Sequence, residues 1–93
     1  MLRLFDEKKQ IAVFDKYHPD FIRLYDTGIP RSIKRYSDGE KRYVCRYYAS
    51  GSIDSISHWK YGRLHGRYLH WDINGNNDVH VMYYNGKIIH RFI

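Results

Sequence analysis

The sequence predicts an all-β fold, an antiparallel meander of short hairpins, and three observations carry that expectation. Six of the seven glycines, Gly28, Gly39, Gly51, Gly62, Gly75 and Gly86, are spaced 11, 12, 11, 13 and 11 residues apart. Self-similarity at a fixed period marks stacked repeats. An aromatic residue stands three positions before five of these glycines (Tyr25, Tyr36, Tyr48, Trp59 and Tyr83), and Trp71 stands four before Gly75, so that turn has gained a residue. No stretch sustains apolar residues at i, i+3 and i+4, whereas β-branched and aromatic residues fill the runs between glycines.

The elements follow in chain order. Residues 1–24 form an N-terminal capping segment, since terminal repeats are commonly atypical. In that segment residues 1–5 and 11–14 read as strands, Tyr17 takes the place of the expected glycine, and His18-Pro19-Asp20 reads as a loop. The repeat array spans residues 25–93 of the same single domain. Strands are expected over residues 21–25, 32–36, 42–48, 52–59, 67–71, 79–84 and 87–92, where β-formers concentrate. Asp26-Thr27-Gly28, Ser37-Asp38-Gly39, Ala49-Ser50-Gly51, Asn74-Gly75 and Asn85-Gly86 supply the turns. Asp-Gly and Asn-Gly suit tight hairpins because glycine accepts the positive φ that primed turns demand. Connections this short force antiparallel pairing, since a parallel crossover needs about a dozen residues. Alternation places Val44, Arg46 and Tyr48 on one face and Tyr43, Cys45 and Tyr47 on the other. The same period puts Ile53 and Trp59 opposite Ile56. Neither face is cleanly polar, so the sheet is either curled around an aromatic face or packed on a partner.

Composition bounds the function classes. A chain of 93 residues makes one domain, and its core is small. The aromatic content of 17% lets a thin sheet bury area with few residues. Cys45, the single cysteine, has no internal disulfide partner, which fits a reducing compartment or a fold needing no staple. The start of the chain turns charged at Asp6, so it has no signal-peptide core, and no apolar run approaches the roughly 20 residues of a membrane span. The expected location is cytoplasmic, neither secreted nor transmembrane. The net charge of +6 is uneven. Arg31, Lys34, Arg35, Lys41, Arg42 and Arg46 crowd one segment, against Asp38 and Glu40 alone. That excess favours anionic lipid, nucleic acid or an acidic protein surface; equally, cations keep the edges of a small sheet soluble.

The run Trp59-Lys60-Tyr61-Gly62-Arg63-Leu64-His65-Gly66, followed by Trp71, Gly75 and Tyr83-Tyr84-Asn85-Gly86-Lys87, resembles the MORN-repeat family. In particular it is similar to the variant MORN repeats of bacterial antitoxin-like proteins, found also in large DNA viruses. The resemblance covers residues 25–87 and is strongest over 59–87. The Gly-x-Leu-His-Gly step occurs once; the positions after Gly39 and Gly86 lack the second glycine. The resemblance implies an elongated single-layer antiparallel sheet of hairpins, each about 23 residues long. It further implies a non-enzymatic role in scaffolding, protein contact, anionic-lipid binding or antitoxin-like inhibition, and a place in a larger assembly such as a virus particle as an alternative to the cytoplasm.

Candidate chemistry is sparse. Six histidines are present, and His58 and His70 are placed to meet across neighbouring strands, but no zinc-ligand spacing occurs. His65 belongs to the repeat step. Cys45 between Tyr43 and Tyr47 reads as a buried small hydrophobe rather than a nucleophile. No paired carboxylates or phosphate-binding glycine loop stand out. No catalytic residue, metal ligand, cofactor or small-molecule substrate is therefore expected. Aromatics of the grid (Trp59, Tyr61, Trp71 and Tyr48) are the expected partner-binding anchors, because such residues dominate protein interfaces. Arg31, Lys34, Arg35, Lys41, Arg42 and Arg46 are the expected anion-binding set, with basic and aromatic residues interleaved as on single-stranded nucleic-acid platforms. The expected partner is a protein or a second copy of the chain, meeting the sheet edges and aromatic face.

Overall fold

The computed structural model describes residues 3–6, 10–14 and 20–93, with side chains from Phe21 onward. The chain is all-β, one open antiparallel sheet in meander order. Its strands are β1 (Arg3–Asp6), β2 (Gln10–Phe14), β3 (Asp20–Leu24), β4 (Pro30–Ser37), β5 (Glu40–Tyr47), β6 (Ile53–Lys60), β7 (Arg63–Leu64), β8 (Gly66–Trp71), β9 (Asn77–Tyr84) and β10 (Lys87–Arg91). Each pairs with the next, except that β6 pairs with both the short β7 and β8. The nine strands of the main path, spaced about 4.8 Å apart, account for about 38 Å. The longest extent of the molecule is 39 Å and the shortest is 17 Å. Among the described residues no helix is long and apolar enough to cross a membrane.

The capping segment pairs into the same sheet: β1 on β2, β2 on β3, and β3 on β4. Asp20, expected in a loop, begins β3. Tyr17 and His18-Pro19 lie outside the described residues.

Two kinds of turn alternate along the array. At one edge, Gly28, Gly51 and Gly75 donate their N–H to the carbonyls of Tyr25, Tyr48 and Asp72, each at 2.9 Å. At the other edge, positive φ is paired at Asp38-Gly39, Tyr61-Gly62 and Asn85-Gly86, as the two central residues of a type I′ turn require. The structural unit is therefore two strands and one turn of each kind, 23 or 24 residues in all, and the glycine spacing is half of it. A tyrosine bracket repeats with the unit: Tyr25 donates its hydroxyl to the Tyr47 carbonyl at 2.7 Å, and Tyr48 donates to the Trp71 carbonyl at 2.6 Å.

Register shifts recur in step with the turns. Pairing skips Arg31, Arg42, Asp54, Asp78 and Ile89, and each stands three residues after a turn glycine. Such bulges re-aim a side chain and break the period of two. One alternation expectation fails for this reason. The bulge at Asp54 pairs Ile53 with Tyr47 while Ile56 pairs with Cys45, so Ile53 and Ile56 share a face and Trp59 lies opposite. After Gly62 the irregularity is wider. Gly66 has φ +109, and a Cβ there would stand 3.2 Å from the Cβ of His58, so a side chain would both strain the backbone and press on β6.

The core is thin. Among the described residues, Val44, Cys45 and Val81 are the buried hydrophobics, and Ser32, Ser55 and Ser57 are buried with them. One face carries the row Ile22, Ile33, Cys45, Ile56, Leu69 and His80, opposite one another on six adjacent strands. The other carries Arg23, Ser32, Arg46, Ser55, His70 and Val79. The first row is apolar up to His80, though Arg35 and His58 share its face; the second row is mostly polar, and its face also carries the buried Val44 and Val81.

Candidate binding surfaces

The four aromatic anchors occupy two places. Trp59 and Tyr61 lie towards the type I′ edge, Tyr48 and Trp71 at the opposite edge; an eight-residue strand separates these edges by roughly 25 Å. Trp59 is half-buried. Its indole N–H donates to the Ser57 hydroxyl at 2.9 Å, and the Lys41 ammonium sits 3.9 Å from its ring centre. Tyr48 and Trp71 are half-buried in the bracket. Tyr61 alone of the four is open, 74% exposed, and holds φ 52 in its turn. Its N–H donates to a Glu40 carboxylate oxygen, which ties the turn to the neighbouring unit. Gly62 lies on the glycine grid, but Tyr61, a β-forming aromatic, gives no sequence signal for the left-handed backbone it adopts.

The basic segment is also divided. Lys41 lies over Trp59, and Arg42 pairs with Glu40 at 3.5 Å. Arg35 faces the apolar side, where Ile33, Tyr43, Cys45 and Tyr47 line an open hollow. Arg31, Lys34 and Arg46 instead converge on the opposite face, around a depression of about 270 Å³ whose lining includes Arg23, Ser32 and Asp54. Arg23 was not singled out by the sequence; it lies outside the dense segment, and only the register places it opposite Ser32, which is opposite Arg46. The bulge turns Arg31 into the same group, its guanidinium 5.7 Å from the Tyr25 ring centre. Burial, and then the charges of Lys41, Arg23 and Arg46, hold the Lys34 ammonium below its usual pKa. Like charges about 7 Å apart in a solvent-like dielectric repel by roughly 0.6 kcal/mol per pair. Among the described residues no carboxylate lies within 4.0 Å of Arg31, Lys34 or Arg46.

The next unit places different chemistry at the same positions. Asp54 stands where Arg31 does, Ser55 follows as Ser32 does, Ser57 replaces Lys34, and His70 replaces Arg46. Here the polar side chains close on one another. His70 is 2.6 Å from Asp78 through Nδ1 and 3.4 Å from Asp54 through Nε2. His58 and His70 do not meet: they lie on opposite faces, His58 against Tyr43 and His70 beside the aspartates. His80 stacks on Phe92, with ring centres 4.3 Å apart, and its buried Nε2 has no hydrogen-bond partner among the described residues.

On the apolar face, Tyr47 has its pKa pushed up to about 12, first by its hydrogen bond with Cys45 and then by burial. Tyr43 is raised as well, chiefly by burial. Among the described residues no group of three or more His, Cys, Asp or Glu is arranged to hold a metal ion.

No family model matches the chain, and neither does any curated protein or solved structure.

Proposed function

We propose that the protein is a non-enzymatic interaction module, a MORN-like hairpin array that docks a protein partner. One observation carries the reading: large apolar side chains stand in the open along one edge of the sheet. Ile88 and Ile89 on β10 and Ile93 just after it are exposed, and β10 is an edge strand. An apolar strand edge is a template for another chain. Tyr61 adds to the reading. A tyrosine in left-handed backbone costs about 1 kcal/mol or more, and here that conformation presents an open aromatic ring. The alternating turns and tyrosine brackets, repeating every 23 or 24 residues, support the family resemblance. A virus particle, a scaffold or an antitoxin-like complex is a setting compatible with such a module.

The test is co-purification from the native source with the wild-type chain and with an Ile88→Lys, Ile89→Lys double variant. A protein retained by the first and lost by the second supports docking at this edge. The same proteins retained by both would contradict it. A second copy as the occupant would show as concentration-dependent mass in sedimentation, abolished in the same variant.

A second reading is binding of anionic lipid or nucleic acid through the basic segment. It is favoured by the convergence of Arg31, Lys34 and Arg46 on one face. Its general form is tested by salt, since binding that neutralises several phosphates weakens steeply as salt rises.

A further inference from the structure

We propose that the depression between β3, β4 and β5 is a binding site for a single phosphate-type dianion, a phosphomonoester, held by Arg31, Lys34 and Arg46. This rests on the second reading above and gives it a place and a ligand class; it is independent of the docking reading.

The geometry argues for one compact anion rather than a long polyanion. Arg46 stands directly opposite Ser32, one strand spacing of about 4.8 Å away. Lys34 lies two residues along from Ser32 on the same face, about 6.6 Å away. Arg31 reaches the group from its bulge. Ser32 is buried at the floor, so three cationic arms surround a small hydroxyl-bearing patch. Two guanidinium forks and an ammonium match the several oxygens of a phosphoryl group. The volume of about 270 Å³ falls just below the range usual for drug-sized ligands, leaving room for a phosphate and a small substituent. The one carboxylate in the lining, Asp54, is engaged with His70. Lys41 and Arg42, also in the basic segment, are turned to Trp59 and Glu40 and cannot serve this group at the same time.

The lowered affinity of Lys34 for its proton fits the same picture. Its causes are burial and three neighbouring cations, and a bound dianion offsets those cations. Ligand binding should therefore raise the Lys34 pKa, a readout that general surface charge would not give.

The experiment titrates the full chain with glycerol phosphate, a monoester, and with glycerophosphocholine, a diester, by calorimetry. It compares wild type, Lys34→Gln with Arg46→Gln, and a control carrying Arg42→Gln with Lys87→Gln, which removes the same charge elsewhere. Circular dichroism and thermal melting establish that all three fold. The monoester should bind wild type and control alike, at least about tenfold more weakly to the Lys34, Arg46 variant, and the diester should bind more weakly than the monoester throughout. A parallel arm uses phosphatidylcholine vesicles containing phosphatidic acid or phosphatidylserine. Retention on phosphatidic acid that glycerol phosphate competes away assigns a lipid headgroup, and binding of the soluble monoester alone assigns a soluble ligand; either supports the site. No binding of monoester in either arm, or equal weakening in the control, overturns it. If salt-sensitive binding to a long polyanion persists unchanged in the Lys34, Arg46 variant while the monoester fails to bind, the second reading stands and this site does not.

Discussion

Two regions of one face occupy the same place in successive units and carry opposite chemistry. In the first, Arg31, Ser32, Lys34 and Arg46 gather cations with no carboxylate of the described residues in ion-pair range. In the second, Asp54, Ser55, Ser57 and His70 stand at the corresponding positions, and His70 is bracketed by Asp54 and Asp78. The scaffold beneath them is the same. Each has a bulge three residues after a turn glycine, a buried serine next to it, and a tyrosine hydroxyl clamped to a carbonyl. The backbone therefore fixes where side chains point, and the residue at the bulge decides whether the region closes on itself or waits for a ligand.

The comparison breaks most severely if the first region is given the chemistry of the second. Arg31→Asp with Lys34→Ser should cut glycerol phosphate binding by about a hundredfold, measured by calorimetry, since two charged contacts are lost and one is reversed. A loss no larger than that caused by Arg42→Gln would show that the two regions do not differ as described.

Alkaline pH probes the scaffold on the first region's side. Tyr47, whose carbonyl receives the Tyr25 hydroxyl, has a folded-state pKa raised to about 12 against an ordinary value of 10.0. A raised acid pKa means that the folded chain holds the proton more tightly. Its contribution is fully present below the unfolded pKa and is lost as pH rises from about 10 to about 12. Denaturant melts should thus be level up to pH 10 and weaken above it, and Tyr47→Phe should flatten that fall. In the second region the corresponding acceptor belongs to Trp71, which does not titrate.

The shared scaffold predicts equal sensitivity at the brackets. Tyr25→Phe and Tyr48→Phe should each cost about 1 kcal/mol in urea unfolding, the usual net value of one hydrogen bond. A large inequality would mean that the units are not structurally equivalent. Smaller still is the effect of Asp78→Asn. The His70 pair is partly exposed, and ion pairs of that kind are worth about 0–1 kcal/mol.

Much of this architecture was legible in the glycine spacing. The period announced hairpins, and the Asp-Gly and Asn-Gly pairs announced their turns. The bulges were not legible, because an inserted residue leaves no compositional mark, and strict alternation therefore puts Ile53 on the wrong face. The charge of residues 31–46 was plain from composition, but its division was not. Which of Arg31, Lys34, Arg35, Lys41, Arg42 and Arg46 converge depends on register and on two bulges, and Arg23 joins them only through pairing across β4. A rule visible in hindsight is that the residue three after five of the six turn glycines is the bulged one, Gly62 being the exception. Read down the chain, the positions three after these glycines run Arg31, Arg42, Asp54, His65, Asp78 and Ile89, and Arg31 and Asp54 already separate the two regions.

The most direct measurement is an amide chemical-shift map of the intact chain titrated with glycerol phosphate. The account predicts shifts centred on Arg31, Ser32, Lys34 and Arg46, with Asp54, Ser55, Ser57 and His70 holding still. Equal movement in both regions, or none in the first, would contradict it.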